Sequence, residues 1–146
     1  MPLDILLVED NVGDARLLKE LLIETNRSVH LYVVSDGVEA MAFLRYRGKY
    51  IDVPRPDLIL LDLNMDKMDG REVLRQVKED PHLRAIPLIV LTTSQAEFDI
   101  VSSYKLMASC YLTKPGELKE FEGLVKSLND FWLTRVSLPK RERRGA

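Results

Sequence analysis

Three short runs of uninterrupted aliphatic residues, Ile5 to Val8, Leu58 to Leu61 and Leu88 to Leu91, restrict this chain more than any other feature in it. A segment that is apolar at every position has no face to show to water. As a strand it must be covered on both sides, which is the situation of strands in parallel sheets. Parallel strands need long crossovers, usually helical. The intervening sequence supplies them. Leu17, Leu18, Leu21 and Leu22 are spaced for one face of a helix, as are Val38, Met41 and Leu44, then Val73, Leu74 and Val77, then Ile100, Val101 and Tyr104. The most regular series comes last, with Leu118, Phe121, Leu124, Val125, Leu128 and Trp132. Val29 to Val34, interrupted by His30 and Tyr32, reads as an edge strand, and Cys110 to Thr113 as a fifth. Asp36-Gly37 and Asp69-Gly70 open helices, Pro81 closes one, and Pro87 precedes the fourth strand. Five βα units in succession predict an α/β fold, a doubly wound five-stranded parallel sheet with helices on both faces.

Composition narrows the class. A length of 146 residues suits one domain, and 21 basic against 23 acidic residues, net charge -2, carry no nucleic-acid footprint. The single cysteine, Cys110, has no partner for an internal disulfide and reads as a buried small hydrophobe. Met1-Pro2-Leu3-Asp4 runs straight into the first strand without a signal-peptide pattern, and no apolar run approaches the ~20 residues of a membrane span. The expectation is a soluble, cytoplasmic protein. His30 and His82 lack metal-ligand spacing, the end Lys140-Arg141-Glu142-Arg143-Arg144 reads as a solvated tail, and neither G-x-x-x-x-G-K-[ST] nor G-x-G-x-x-G occurs.

Chemically loaded residues stand at the ends of the strands. Glu9-Asp10 follows the first, Asp62 the third, Thr92 the fourth and Lys114-Pro115 the fifth. In an open parallel sheet those carboxyl ends face one crevice, where such folds bind ligands. Acids alone would repel one another. Acids beside an ammonium group and a divalent metal make a site for phosphoryl chemistry. Taken singly each residue is ordinary: a strand-end aspartate is more often a helix cap, and a Lys-Pro pair more often a turn. It is their common placement that carries the reading. Asp62 in particular would be held rigidly by the sheet behind it yet open to attack a phosphorus in line.

Five blocks, "LLVEDN" at 6 to 11, "LILLDLNM" at 58 to 65, "MDG" at 68 to 70, "IPLIVLTTS" at 86 to 94 and "YLTKP" at 111 to 115, occur in an order and spacing that resemble the receiver domain of two-component response regulators over residues 4 to 132. That family has the flavodoxin-like fold. The resemblance implies Asp62 as phosphoacceptor and Mg2+ as cofactor, held by Asp10, Asp62 and the backbone carbonyl of Asn64, with Glu9 acting through a bound water. It implies Lys114 as the cation that reaches the phosphoryl oxygens, Thr92 and Tyr111 as a switch pair, and a cis peptide bond before Pro115. Asp66 departs from the family, which usually carries a proline there; an added carboxylate and the lost φ restriction predict a looser, more acidic loop.

"HLRAIPLIVLTTS" together with "FWLTRVSLP" further resembles the single-domain regulators that work with phytochrome histidine kinases. This implies a sensor histidine kinase as partner and a homodimer. The expected organisation is a receiver domain at 1–132 and an extension at 133–146 acting as a dimerisation arm, with no DNA-binding part and no membrane association. Such a protein is a phosphoacceptor, promoting its own phosphorylation and dephosphorylation, and not an enzyme acting on other substrates. Two alternatives stand beside it. A haloacid-dehalogenase-like phosphohydrolase is suggested by Asp62-Leu63-Asn64, but there the acidic pair comes last and here it comes first. A receiver-like adaptor without phosphorylation is disfavoured by the complete set Glu9, Asp10, Asp62, Thr92 and Lys114.

Overall fold

A computed structural model describes residues 2–26, 28–65 and 67–139. The elements follow in the order β1 (Leu3–Val8), α1 (Val12–Thr25), β2 (Val29–Val34), α2 (Gly37–Leu44), β3 (Leu58–Leu61), α3 (Gly70–Glu79), β4 (Leu88–Thr92), α4 (Glu97–Lys105), β5 (Cys110–Thr113) and α5 (Leu118–Ser127). All strand pairs are parallel and the sheet order is β2-β1-β3-β4-β5. β2 lies at an edge, as its broken apolar pattern predicts.

The uninterrupted runs are apolar because both faces are covered. Leu6, Val8, Ile59, Leu61, Leu88 and Val90 join one core with Met41, Phe43, Leu44, Val73, Leu74 and Val77 of α2 and α3. Their neighbours Ile5, Leu7, Leu58, Leu60, Ile89 and Leu91 join another with Ala15, Leu18 and Leu22 of α1 and Phe121 and Val125 of α5. The period of two along each strand sorts side chains between two cores, and each buried aliphatic contributes about 1.5–3 kcal/mol. Three helices start with side-chain caps: Asn11 accepts from the Asp14 N–H at 2.9 Å, Asp36 from Glu39 at 2.9 Å and Asp69 from Arg71 at 2.8 Å.

Three helix faces depart from expectation, two of them at a single residue. In α2, Met41 and Leu44 are buried as expected, with Ala40 and Phe43 beside them, but Val38 is 52% exposed. Gly37 lets the helix start press against the loop after β3, for a Cβ there would stand 2.4 Å from the carbonyl oxygen of Met68. In α4 the expected face is not the inner one: Ile100 is partly buried and Val101 and Tyr104 are exposed to 41% and 48%, while Asp99 and Ser103 are buried. In α5 and just after it, Phe121, Val125 and Leu128 are buried as expected and only Leu118, at the helix start, is exposed.

After α5 the chain makes a wider turn over Leu128–Trp132, closed by N–H to carbonyl bonds from Leu133 to Leu128 at 3.2 Å and from Val136 to Phe131 at 2.9 Å. Trp132 packs against its own α1/α5 core and Leu133 is buried in it. Burial in this core thus continues to Leu133. Among the described residues no helix is long and apolar enough to cross a membrane.

Candidate functional site

The order β2-β1-β3 makes the chain wind to one side of β1 and then to the other, which opens a crevice at the carboxyl ends of β1 and β3. Backbone bonds fix what enters it. The Glu9 N–H donates to Val34 O at 3.0 Å, the Asp62 N–H to Val8 O at 3.0 Å, and the Lys114 N–H to Thr92 O at 2.7 Å. Each side chain thus leaves the last hydrogen-bonded position of the sheet. Lys114 Nζ then lies 3.3 Å from Asp62 Oδ2 and 3.0 Å from Asp14 Oδ2, and pairs most closely with Glu9 Oε1.

Lys114, Glu9 and Asp62 are all buried, so their mutual attraction acts without full solvent screening. Burial pushes the Glu9 carboxyl up to about 7, even with the lysine beside it. For Lys114, burial pulls the other way, but Glu9, Asp62 and Asp14 outweigh it and hold the ammonium above its ordinary value. The lysine therefore remains charged and neutralises the acids around Asp62.

Glu9, Asp10 and Asp62 each offer a carboxylate oxygen, and these atoms lie within 4.8 Å of one another. Clustered hard oxygens with one exposed member, Asp10, suit a small divalent cation that keeps part of its water shell. Both Glu9 oxygens are already engaged, Oε1 by Lys114 and Oε2 by the Asn11 N–H at 3.2 Å. The Asn64 N–H donates to Asp62 Oδ1 at 3.2 Å and curls the following loop over the carboxylate. That loop is strained farther on, where Lys67 and Met68 take φ values of 44° and 59°. The Lys67 carbonyl is held there by the Gly37 N–H at 3.1 Å. Asp66, and the basic residues 140–144, lie outside the described residues.

The expected cis bond before Pro115 is absent: no cis peptide occurs among the described residues. Lys114 reaches the pocket from a trans bond because its strand end and three carboxylates already orient it, and trans is the default even for proline. Thr92 is fully buried, and its Oγ1 accepts a long bond of 3.5 Å from the Ser94 N–H. Tyr111 is half-buried with its Oη donating to Ser94 O at 3.0 Å, so Thr92 and Tyr111, the two residues expected to act as a switch, both bond to Ser94.

Four further residues join the site unannounced by any strand-end pattern. Asp14 sits one helical turn after Asp10, and that i,i+4 spacing is the only signal that could have drawn attention to it. Ser94, Arg71 and Asp99 form a chain of polar contacts beside the pocket, and nothing local in the sequence links them. Ser94 Oγ donates to Asp99 Oδ2 at 2.6 Å, and Arg71 Nη2 to Asp99 Oδ1 at 2.7 Å.

Residues 5–126 match the response regulator receiver domain family. The chain is 49% identical over 138 residues to the response regulator Rcp1 of Synechocystis sp., covering 94% of both sequences. It is similar to the crystal structure of the Mn2+-bound form of Rcp1, with TM-score 0.91, 49% identity and coverage of 95% of this chain and 100% of that one. It is also similar to the phosphorylated cyanobacterial phytochrome response regulator RcpA, with TM-score 0.92, 48% identity, and coverage of 96% and 100%.

Proposed function

This chain belongs to the response regulator receiver family, and on that premise we propose that Asp62 takes a phosphoryl group from the phosphohistidine of a sensor histidine kinase. The observation that supports this is the meeting of Asp62 with Lys114 and the acids of β1 in one crevice. An Asp62 carboxylate oxygen forms the new P–O bond as the P–N bond to the donor imidazole breaks, and the imidazole leaves carrying its electron pair and picks up a proton. Lys114 exchanges carboxylate partners for phosphoryl oxygens, since a flexible ammonium can follow the charge. The Thr92 hydroxyl donates to a phosphoryl oxygen, which draws on the Ser94 segment to which Tyr111 is bonded.

Asp10, Asp62 and the Asn64 carbonyl would hold Mg2+, with Glu9 acting through water, consistent with its two oxygens being engaged. The ion supplies charge neutralisation for the incoming phosphoryl oxygens. The relative named as a cyanobacterial phytochrome response regulator supports a phytochrome-type kinase as donor and a light-signalling role, for which we propose a cytoplasmic location. We also propose a homodimer using the segment from Phe131 onward, because that large apolar ring is 57% exposed.

The test is direct. Incubation with Mg2+ and acetyl phosphate should add one phosphoryl group by intact mass, removable with hydroxylamine and missing in Asp62→Asn. Full labelling of that variant, or repeated turnover of a phosphate ester, would sink the assignment and favour the hydrolase reading.

A further inference from the structure

Helix α4 is attached to the body by charge rather than by oil. Phe98, Val101 and Tyr104 are exposed to 79%, 41% and 48%, while the buried positions are Asp99 and Ser103. Its start has no side-chain cap, and Ser102 turns its hydroxyl back onto Phe98 O at 2.7 Å, a bond that loosens helices. A helix with so few buried apolar groups opens easily unless something else retains it.

What retains it is Arg71. Its Nε and Nη2 donate to Asp99 Oδ1 at 3.1 and 2.7 Å, and its Nη1 to Asp69 Oδ1 and Oδ2 at 3.0 and 2.9 Å. The other oxygen of Asp99 receives the Ser94 hydroxyl. One guanidinium thus spans the N-cap of α3 and the inner face of α4, a fork that lysine cannot reproduce. The α3 end of this bridge is rigidly tied to the acceptor. Gly70 donates to Leu63 O at 3.0 Å, and a Cβ on it would stand 2.2 Å from the carbonyl oxygen of Asp62.

We propose that Arg71 is the positioning residue that couples the Asp62 site to α4, by pinning the buried Asp99 carboxylate to the first turn of α3. Any shift of the loop after Asp62 moves Asp69 and Arg71, and α4 then follows or is released. The inference rests on Asp62 being the phosphoacceptor, and it assigns a route between that residue and the apolar outer face of α4.

Amide hydrogen exchange on the full chain, with and without acetyl phosphate and Mg2+, tests it. In unlabelled Arg71→Ala the amides of 97–105 should exchange about tenfold faster than in the unsubstituted protein, with α1 and α5 unchanged. The difference that phosphorylation makes in α4 should shrink to less than half. Asp99→Asn should act in the same direction, and the double variant should be no faster than Arg71→Ala, because both remove one contact. Arg71→Lys should fall between. Exchange in α4 that stays within about twofold of the unsubstituted protein, that rises equally in α1 and α5, or that keeps its full response to phosphorylation overturns the proposal. Intact mass of the same samples separates the two readings. An unlabelled parent protein overturns the phosphoacceptor assignment, while the unlabelled comparison still decides the tether.

Discussion

At the scale of single residues, the pocket is a balance of one ammonium against several carboxylates. Lys114→Ala leaves Glu9 and Asp62 buried without their cation, and removing one partner of such a set costs about 3 kcal/mol when the acids stay ionised. The loss should be smaller at pH 6 than at pH 8, since Glu9 can take up a proton; urea unfolding at the two values checks it. Glu9 is held at about 7 against an ordinary 4.5, so between those values the folded chain binds more protons than the unfolded one. Its contribution to stability accordingly falls as pH rises through that window and is flat above it. Divalent-ion affinity should run the opposite way, rising with pH up to about 7 as the carboxyl is freed of its proton. Calorimetry in buffers of different ionisation enthalpy would detect the released proton, and a flat profile would remove Glu9 from the metal site. Asp10→Asn should weaken that binding at least tenfold, roughly the effect of losing one carboxylate ligand, with no loss of thermal stability because it removes an exposed, repelled charge.

Among the elements, α3 and α4 are fastened in opposite ways. α3 buries Val73, Leu74 and Val77 and abuts Asp62 through Gly70. Leu74→Ala should cost about 2–5 kcal/mol in denaturant unfolding yet leave phosphorylation stoichiometric, because the cavity lies behind the sheet end. Gly70→Ala should cost about 2 kcal/mol or more and slow phosphorylation as well, since the new methyl group displaces the Asp62 backbone. A variant that lost stability but labelled at the normal rate would show that the pocket tolerates this shift. α4, with its polar inner face, is the element most free to respond, and β5 beside it is coupled through the Tyr111 N–H, which donates to Tyr104 Oη at 3.2 Å.

For the whole molecule, the end of the chain decides what a second copy could touch. Trp132 and Leu133 belong to the protein's own core, so truncating before them would test folding rather than association. Phe131→Asp is the cleaner probe, because that ring is exposed and meets Trp132 edge-on with centroids 6.1 Å apart. Sedimentation should show a dimer for the unsubstituted chain at tens of micromolar and a monomer for the variant. A monomer in both would end the dimerisation proposal. Phe98, Val101, Tyr104 and Leu118 are exposed on α4 and at the start of α5, where readout of the phosphorylated state is expected.

The order of elements, the parallel sheet, its edge strand β2 and the strand-end residues were legible in sequence, because burial on both faces forces continuous apolar runs and a strand end needs no partner to be recognised. Helix faces were less so. Val38 and Leu118 fit an apolar stripe, but a stripe wider than the contact leaves residues at its edge in water. The inner face of α4 was misread for a deeper reason: its buried residues are polar, and a buried carboxylate is tolerable only where Arg71, twenty-eight residues earlier in the chain, comes to meet it. Asp14 and Ser94 entered the site in the same way, by proximity that only the folded chain creates. Sequence by itself determined which groups could do phosphoryl chemistry and on which strands they stand. The tertiary structure decided which carboxylates share Lys114 and the charged bridge from the start of α3 to α4, since each depends on distances between segments far apart in the chain.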